Sequence, residues 1–204
     1  MMFHRIDDEL YLKRLTSLEF NYNAEEYDKS TDRQGWFIDH YKEIVGKECV
    51  GPPLENGVFA KIKDAVRLYH FPNPRLIHAV FDSKADLNGR NMLQVARVAG
   101  LEFRFGVRVT EVIDEKILNS DNEMEESWGY SYRTLKGHFE IGQITFKITK
   151  NYKSGEIFFA INAYSKPSYI PNIFYRWGFR LFGRMLQRYF VSDSFRRIKE
   201  LAQS

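Results

Sequence analysis

The sequence predicts an α+β fold in which an antiparallel sheet of about seven strands wraps around a long C-terminal helix. Three observations carry that expectation. Apolar and polar residues alternate with a period of two through the middle of the chain, from Leu76 to Ser165. Helical spacing appears only before and after that stretch. Aromatic residues make up 16% of the chain, and rings favour strands and large, incompletely filled interiors.

The elements follow in order. Residues 7–20 hold a short helix, with Asp7 or Asp8 as its cap and Leu10, Leu12 and Leu15 as its apolar positions. Residues 21–35 are polar and read as a loop, and 36–45 (WFIDHYKEIV) read as the first strand. Gly46 and the Gly51-Pro52-Pro53 cluster break the chain. Val58, Phe59, Ile62, Ala65, Val66 and Tyr69 share one helical face, and Pro72 and Pro74 end that helix. Strands are expected at 76–81, 91–99 and 101–113. In the last of these Leu101, Phe103, Phe105, Val107 and Val109 alternate with Glu102, Arg104, Gly106, Arg108 and Thr110, as in a half-exposed antiparallel strand.

An acidic loop at 119–127 precedes strands at 128–135, 139–150 and 156–165, joined by turns at Lys136-Gly137 and Lys153-Ser154-Gly155. Helical spacing resumes near Pro171 and continues to Ala202, with Gly178, Gly183 and Ser192-Asp193 as weak points. Strands that follow one another without alternating helices imply hairpins rather than βαβ units. The order strand, helix, six strands, long helix is similar to the helix-grip arrangement of the lipid-transfer (START-like) and plant-allergen proteins, an architectural analogy.

A chain of 204 residues suffices for one domain spanning 1–204. At that size folding removes roughly 70% of the unfolded chain's surface from water, so neither disulfide nor metal is needed. Cys49 is the single cysteine, which excludes an intrachain disulfide and suits a reducing compartment. The N-terminal stretch is charged from His4 onward, unlike a secretory signal, and no apolar run reaches the length of a membrane span. The expected location is cytoplasmic, with peripheral membrane attachment as an added option. Lys and Arg number 10 against 13 Asp and Glu over residues 1–70, 12 against 12 over 71–165, and 8 against 2 over 166–204. The positive excess is therefore local to the last helix.

Four stretches look familiar together. They are Gly35-Trp36-Phe37-Ile38-Asp39-His40, the run from Tyr132 to Gly142 (YRTLKGHFEIG), Ser165-Lys166-Pro167, and Gln187-Arg188-Tyr189-Phe190. In order and spacing they resemble, over roughly residues 15–200, the family catalogued as domain of unknown function nineteen-ninety. That resemblance implies no activity. It departs from the family pattern at Gln143, where the family usually places Glu.

Three groups of residues suggest chemistry. His138 and Glu140 stand two apart at the start of a strand and so share a face. Facing a cavity, they form an imidazole–carboxylate pair able to move protons near neutral pH. Otherwise the histidine bonds backbone at the Gly137 turn and the glutamate meets a cation. Tyr130, Tyr132 and Thr134 line one face of the preceding strand, either as a pocket for an apolar ligand with a polar head or as cross-strand packing. Arg176, Arg180, Arg184 and Arg188 recur at i+4 among aromatic residues, a stripe spanning roughly 120°. It suits either an anionic membrane surface or a core helix whose guanidinium groups reach water.

Three functions follow as expectations. The first is a binding module for a small hydrophobic or amphipathic molecule, or lipid, held between sheet and last helix. Its polar contacts are Tyr130, Tyr132, Thr134, His138, Glu140 and Gln187, with Arg184 or Arg188 facing an anionic head group. The second is an enzyme with His138 and Glu140 as acid and base, and the third a peripheral membrane or interaction protein. No cofactor or metal is expected: the five histidines and Cys49 lack zinc-ligand spacing, and the glycine-rich nucleotide and hydrolase motifs are missing. The acidic N-terminal third argues against nucleic acid.

Overall fold

Seven strands form where the alternation predicts them: β1 (Phe37–Lys47), β2 (Ile77–Val80), β3 (Asn91–Val98), β4 (Leu101–Leu118), β5 (Met124–Thr134), β6 (Glu140–Asn151) and β7 (Glu156–Pro167). They make one antiparallel sheet in the order β1-β7-β6-β5-β4-β3-β2. The helices are α1 (Phe3–Leu15), α2 (Ala24–Lys29), α3 (Val58–Arg67) and α4 (Ile173–Gln203). This computed structural model describes residues 3–29, 35–98, 100–168 and 173–204, and within them all side chains except those of 3–7, 26, 28–29, 98 and 173–183. Successive strands β2 to β7 are neighbours, as hairpins require, and β1 joins the far edge beside β7. The result is a sheet gripping α4, the helix-grip architecture.

Three boundaries differ from the expectation. The loop expected at 119–127 shrinks to 119–123, because β4 runs to Leu118 and β5 starts at Met124. Asn119 closes the short turn between them, its Oδ1 accepting from the Asp121 and Glu123 amides at 3.0 and 2.9 Å. Within the supposed loop at 21–35 lies α2, with Asn23 Oδ1 accepting from the Glu25 amide. The first helix covers Phe3–Leu15, so Asp7 and Asp8 stand inside it rather than at its cap. It ends where the Thr16 and Ser17 hydroxyls donate back to the Lys13 and Arg14 carbonyls. Pro171 lies outside the described residues, and α4 runs unbroken through Gly178, Gly183 and Ser192-Asp193.

Neighbouring strands approach closely at two glycines. A Cβ on Gly129 of β5 would stand 2.1 Å from the Phe146 carbonyl oxygen of β6, and one on Gly142 of β6 would stand 2.2 Å from that of Tyr164 on β7. Only a residue without a side chain allows the strands to approach this closely. One end of the inner face is solid. There Phe59, Ile62 and Val66 of α3 meet Trp128, Tyr130, Phe146 and Phe159 of the sheet and Phe195 and Ile198 of α4. Each fully buried aliphatic or aromatic side chain contributes roughly 1.5–3 kcal/mol by leaving water. A smaller cluster of Leu15, Leu93, Val95 and Leu135 attaches α1 to the opposite face.

A buried ion pair anchors α3. Lys150 is 0% and Glu48 3% exposed at the side chain, with Nζ and Oε2 2.6 Å apart. The Glu48 carboxylate also accepts from the Phe59 amide in the first turn of α3 (2.7 Å) and from the Leu54 amide (3.2 Å). Burial pushes its pKa up, but Lys150 and the two amides outweigh that, leaving it below the ordinary value.

Candidate functional site

The other end of the inner face is hollow. A cavity of about 610 Å³ lies between the sheet and the Leu186–Val191 stretch of α4, within the range of roughly 300–1,000 Å³ usual for small-molecule sites. Its walls are mostly apolar, including Ile77, Leu101, Phe105, Ile144, Ile161 and Phe190. The alternation in β4 explains why: Leu101, Phe103 and Phe105 all turn inward, ahead of Val107 and Val109 in the packed core. The polar groups come from separate elements, namely Asp39 and Tyr41 of β1, Gln94 of β3, Tyr132 of β5, Glu140 of β6 and Gln187 of α4.

His138 and Glu140 both border the cavity, yet they do not form a side-chain pair. His138 is 7% exposed and wedged against Phe105 and Phe139, with ring centroids 4.5 and 4.7 Å away. Its Nδ1 accepts from the Glu140 amide at 2.9 Å, and its own amide donates to the Leu135 carbonyl. Burial lowers its pKa to about 3, against a smaller opposing effect of that backbone bond. The imidazole is therefore neutral near pH 7 and closes the turn, with Nδ1 taken by backbone and a basicity too low to pick up a proton near neutral pH.

Glu140 is the perturbed acid. Burial raises its pKa to about 7, against the pull of the Arg184 charge. Its Oε1 accepts from Gln187 Nε2. Gln187 Oε1 accepts in turn from Arg184 Nη1 at 3.0 Å, and Arg184 clamps Asp39 with two bonds of 2.7 and 2.9 Å. Tyr41 donates to the same aspartate. The Arg184 bonds hold the Asp39 pKa below its ordinary value in spite of burial. One turn of α4 is thus latched to β1 and β6 at the cavity's edge. Arg184 is consequently not a free anchor for an anionic head group, a correction to the expectation.

Tyr132 presents its hydroxyl to the cavity, where it accepts from Gln94 Nε2 at 2.8 Å. Burial lifts its pKa to about 12. Gln94 Nε2 also donates to the Tyr69 hydroxyl at 3.0 Å. Tyr69 follows α3 in the left-handed region, with φ of 56°, where glycine is the usual residue. Its buried ring against Phe71 and its bond to Gln94 over-determine that conformation. Neither Tyr69 nor Gln94 carried any sequence signal of a site; an apolar helix face and an ordinary strand position are all that is visible there.

Of two other expected contacts, Tyr130 is corrected and Thr134 reaches the cavity wall with its hydroxyl engaged elsewhere. Tyr130 is fully buried in the packed core, where its hydroxyl donates to the Val66 carbonyl of α3. Tyr130 and Tyr132 do share a face, but only Tyr132 extends past the packed end of the sheet. Thr134 borders the cavity, but its hydroxyl donates to Asn21 Oδ1 (2.6 Å) and accepts from the Gly142 amide (3.0 Å), leaving it no hydrogen for a ligand.

Residues 22–197 match the family described as Domain of unknown function (DUF1990). The chain belongs to that family. No curated protein matches it. Among solved structures this DUF1990 chain is similar to Ara h 8.0201, at 9% identity and a TM-score of 0.47, covering 83% of this chain and 99% of that one. It is also similar to the major latex-like protein 151 of Panax ginseng, at 10% identity and 0.44, covering 81% and 97%. A norcoclaurine synthase point mutant from Thalictrum, in complex with a transition-state analogue, matches at 6% and 0.46, covering 82% and 94%.

The basic stripe of the DUF1990 chain divides. The side chains of Arg176 and Arg180 lie outside the described residues. Arg184 is half-buried in the latch, whereas Arg188 is exposed and does not line the cavity, a further correction to its expected role as a ligand contact. Among the described residues no helix is long and apolar enough to cross a membrane, and no cluster of His, Cys, Asp or Glu forms a metal site.

Proposed function

We propose that this chain binds a small, largely apolar molecule bearing one polar end in the cavity beneath α4. The observation that carries this reading is the hollow itself: about 610 Å³ remains open among large side chains while the rest of the same face is close-packed. Apolar walls around a space of this size offer a ligand many dispersion contacts. Apolar walls provide affinity, and the few polar groups on β1, β3, β5, β6 and α4 provide orientation. The acid–base alternative is less favoured because burial leaves His138 a weak base, with its Nδ1 bonded to backbone.

Native mass spectrometry of freshly purified protein, followed by a thermal-shift screen of apolar small molecules, tests the reading. A ligand at a hundredfold its Kd should add about 2.7 kcal/mol of stability. The small wall residue Ala163 offers the control, since Ala163→Phe should fill the space and remove the ligand's shift. Absence of any co-purifying or stabilising molecule would sink the proposal.

A further inference from the structure

The charges around the cavity are unevenly satisfied. Arg184 and Asp39 neutralise one another through two hydrogen bonds. Arg104, which also borders the cavity, is paired with Asp8 at 3.0 Å and Glu102 at 2.7 Å. Glu140 is different. One of its carboxyl oxygens accepts from the neutral amide of Gln187, and Oε2 has no hydrogen-bond partner among the described residues. Among the described residues no cation is paired with this carboxyl, although it borders an apolar cavity.

Resting on the cavity reading above, we propose that Glu140 makes this a site for amphiphiles with a cationic amine head group, not for anionic ones. A primary ammonium carries three donors and a full positive charge, so it supplies Oε2 with both a hydrogen bond and a counter-charge. The rings of Tyr41, Phe105 and Tyr132 in the same walls also favour a cation over an anion. A carboxylate or phosphate head would have to displace Asp39 from Arg184 while standing near Glu140. Both effects oppose it.

The groups around Glu140 give the preference a pH dependence. His138 precedes it on the same hairpin, Asp39 and Tyr41 approach from β1, Tyr132 from β5, and Arg184 with Gln187 from α4. His138 stays neutral, Asp39 and Arg184 stay charged and the tyrosines stay protonated between pH 6 and 8. Of these groups only Glu140 changes charge in that window. The amine itself remains protonated, as a lysine does until about pH 10.4.

Titration calorimetry with phenylbutylamine, phenylbutanol and phenylbutyrate, which share one apolar body, tests this in the full chain. Near pH 8.5 the amine should bind about ten- to a hundredfold tighter than the alcohol, the range of a charge-assisted hydrogen bond, and the butyrate weakest. The amine-to-alcohol ratio should shrink near pH 6 and approach one in Glu140→Gln. Equal affinities for amine and alcohol, a preference that survives Glu140→Gln, or tightest binding of the butyrate would each overturn the inference and leave the cavity reading standing. If none of the three binds, the cavity reading falls and takes this inference with it. Should Glu140→Gln fail to fold by circular dichroism, the pH dependence of the ratio in the unsubstituted protein decides alone.

Discussion

Replacing Glu140 with Gln should stabilise the protein, and by an amount that depends on pH in a definite way. The carboxyl titrates at about 7 in the folded chain against an ordinary 4.5. Below pH 4.5 folded and unfolded chains both hold the proton, so the substitution is close to neutral. As pH rises from 4.5 to 7 the unfolded chain ionises first, and folding then requires proton uptake. Native stability falls across that window and the loss is complete above it. The difference between 7 and 4.5, at about 1.36 kcal/mol per pH unit, amounts to about 3 kcal/mol. The amide cannot ionise, yet its oxygen still accepts from Gln187. Urea unfolding followed by tryptophan fluorescence, with Trp128 in the packed core, measures the difference between variant and parent at each pH. That difference should climb from near zero at low pH to about 3 kcal/mol, or roughly 6–12 °C in Tm, under mildly alkaline conditions. A flat difference, or a variant that is the less stable one at pH 8, would refute the claim that burial raises the Glu140 pKa.

His138→Asn should show the opposite profile. The histidine titrates at about 3 when folded against 6.5 ordinarily, so below 6.5 the unfolded chain takes a proton the folded one refuses. The parent therefore loses up to about 5 kcal/mol between 6.5 and 3, a slope the variant should lack in the same urea series. Lys150→Met should cost about 3–5 kcal/mol at neutral pH by leaving the Glu48 carboxylate buried without its cation. The double variant with Glu48→Gln should recover part of that loss, whereas full additivity in a double-mutant cycle would mean that the two side chains act independently.

Much of the fold was legible because it rests on short-range periodicity. Seven strands, the α3 face and the terminal helix all follow from apolar spacing, as do the turns at Gly137 and Gly155 with φ of 92° and 72°. The failures have specific causes. Glu125 and Glu126 looked like loop residues because carboxylates are poor strand formers, but pairing in β5 overrides propensity, and Asn119, Asn151, Lys116 and Tyr152 satisfy them. Tyr130 and Tyr132 are indistinguishable by alternation. What separates them is distance along β5 from the packed end, which depends on where α3 and α4 lie.

By itself the sequence determined the order of every element but α2, the antiparallel pairing and the spacing of His138 and Glu140, since each depends on residues close together in the chain. Tertiary structure decided that His138 is a neutral turn residue, that Arg184 belongs to Asp39, and that Glu140 borders a hollow with one oxygen unpaired among the described residues. Those outcomes turn on desolvation and on partners as far apart as residues 39 and 184. Such partners meet only after the sheet curls and α4 settles across it, so no local pattern encodes them.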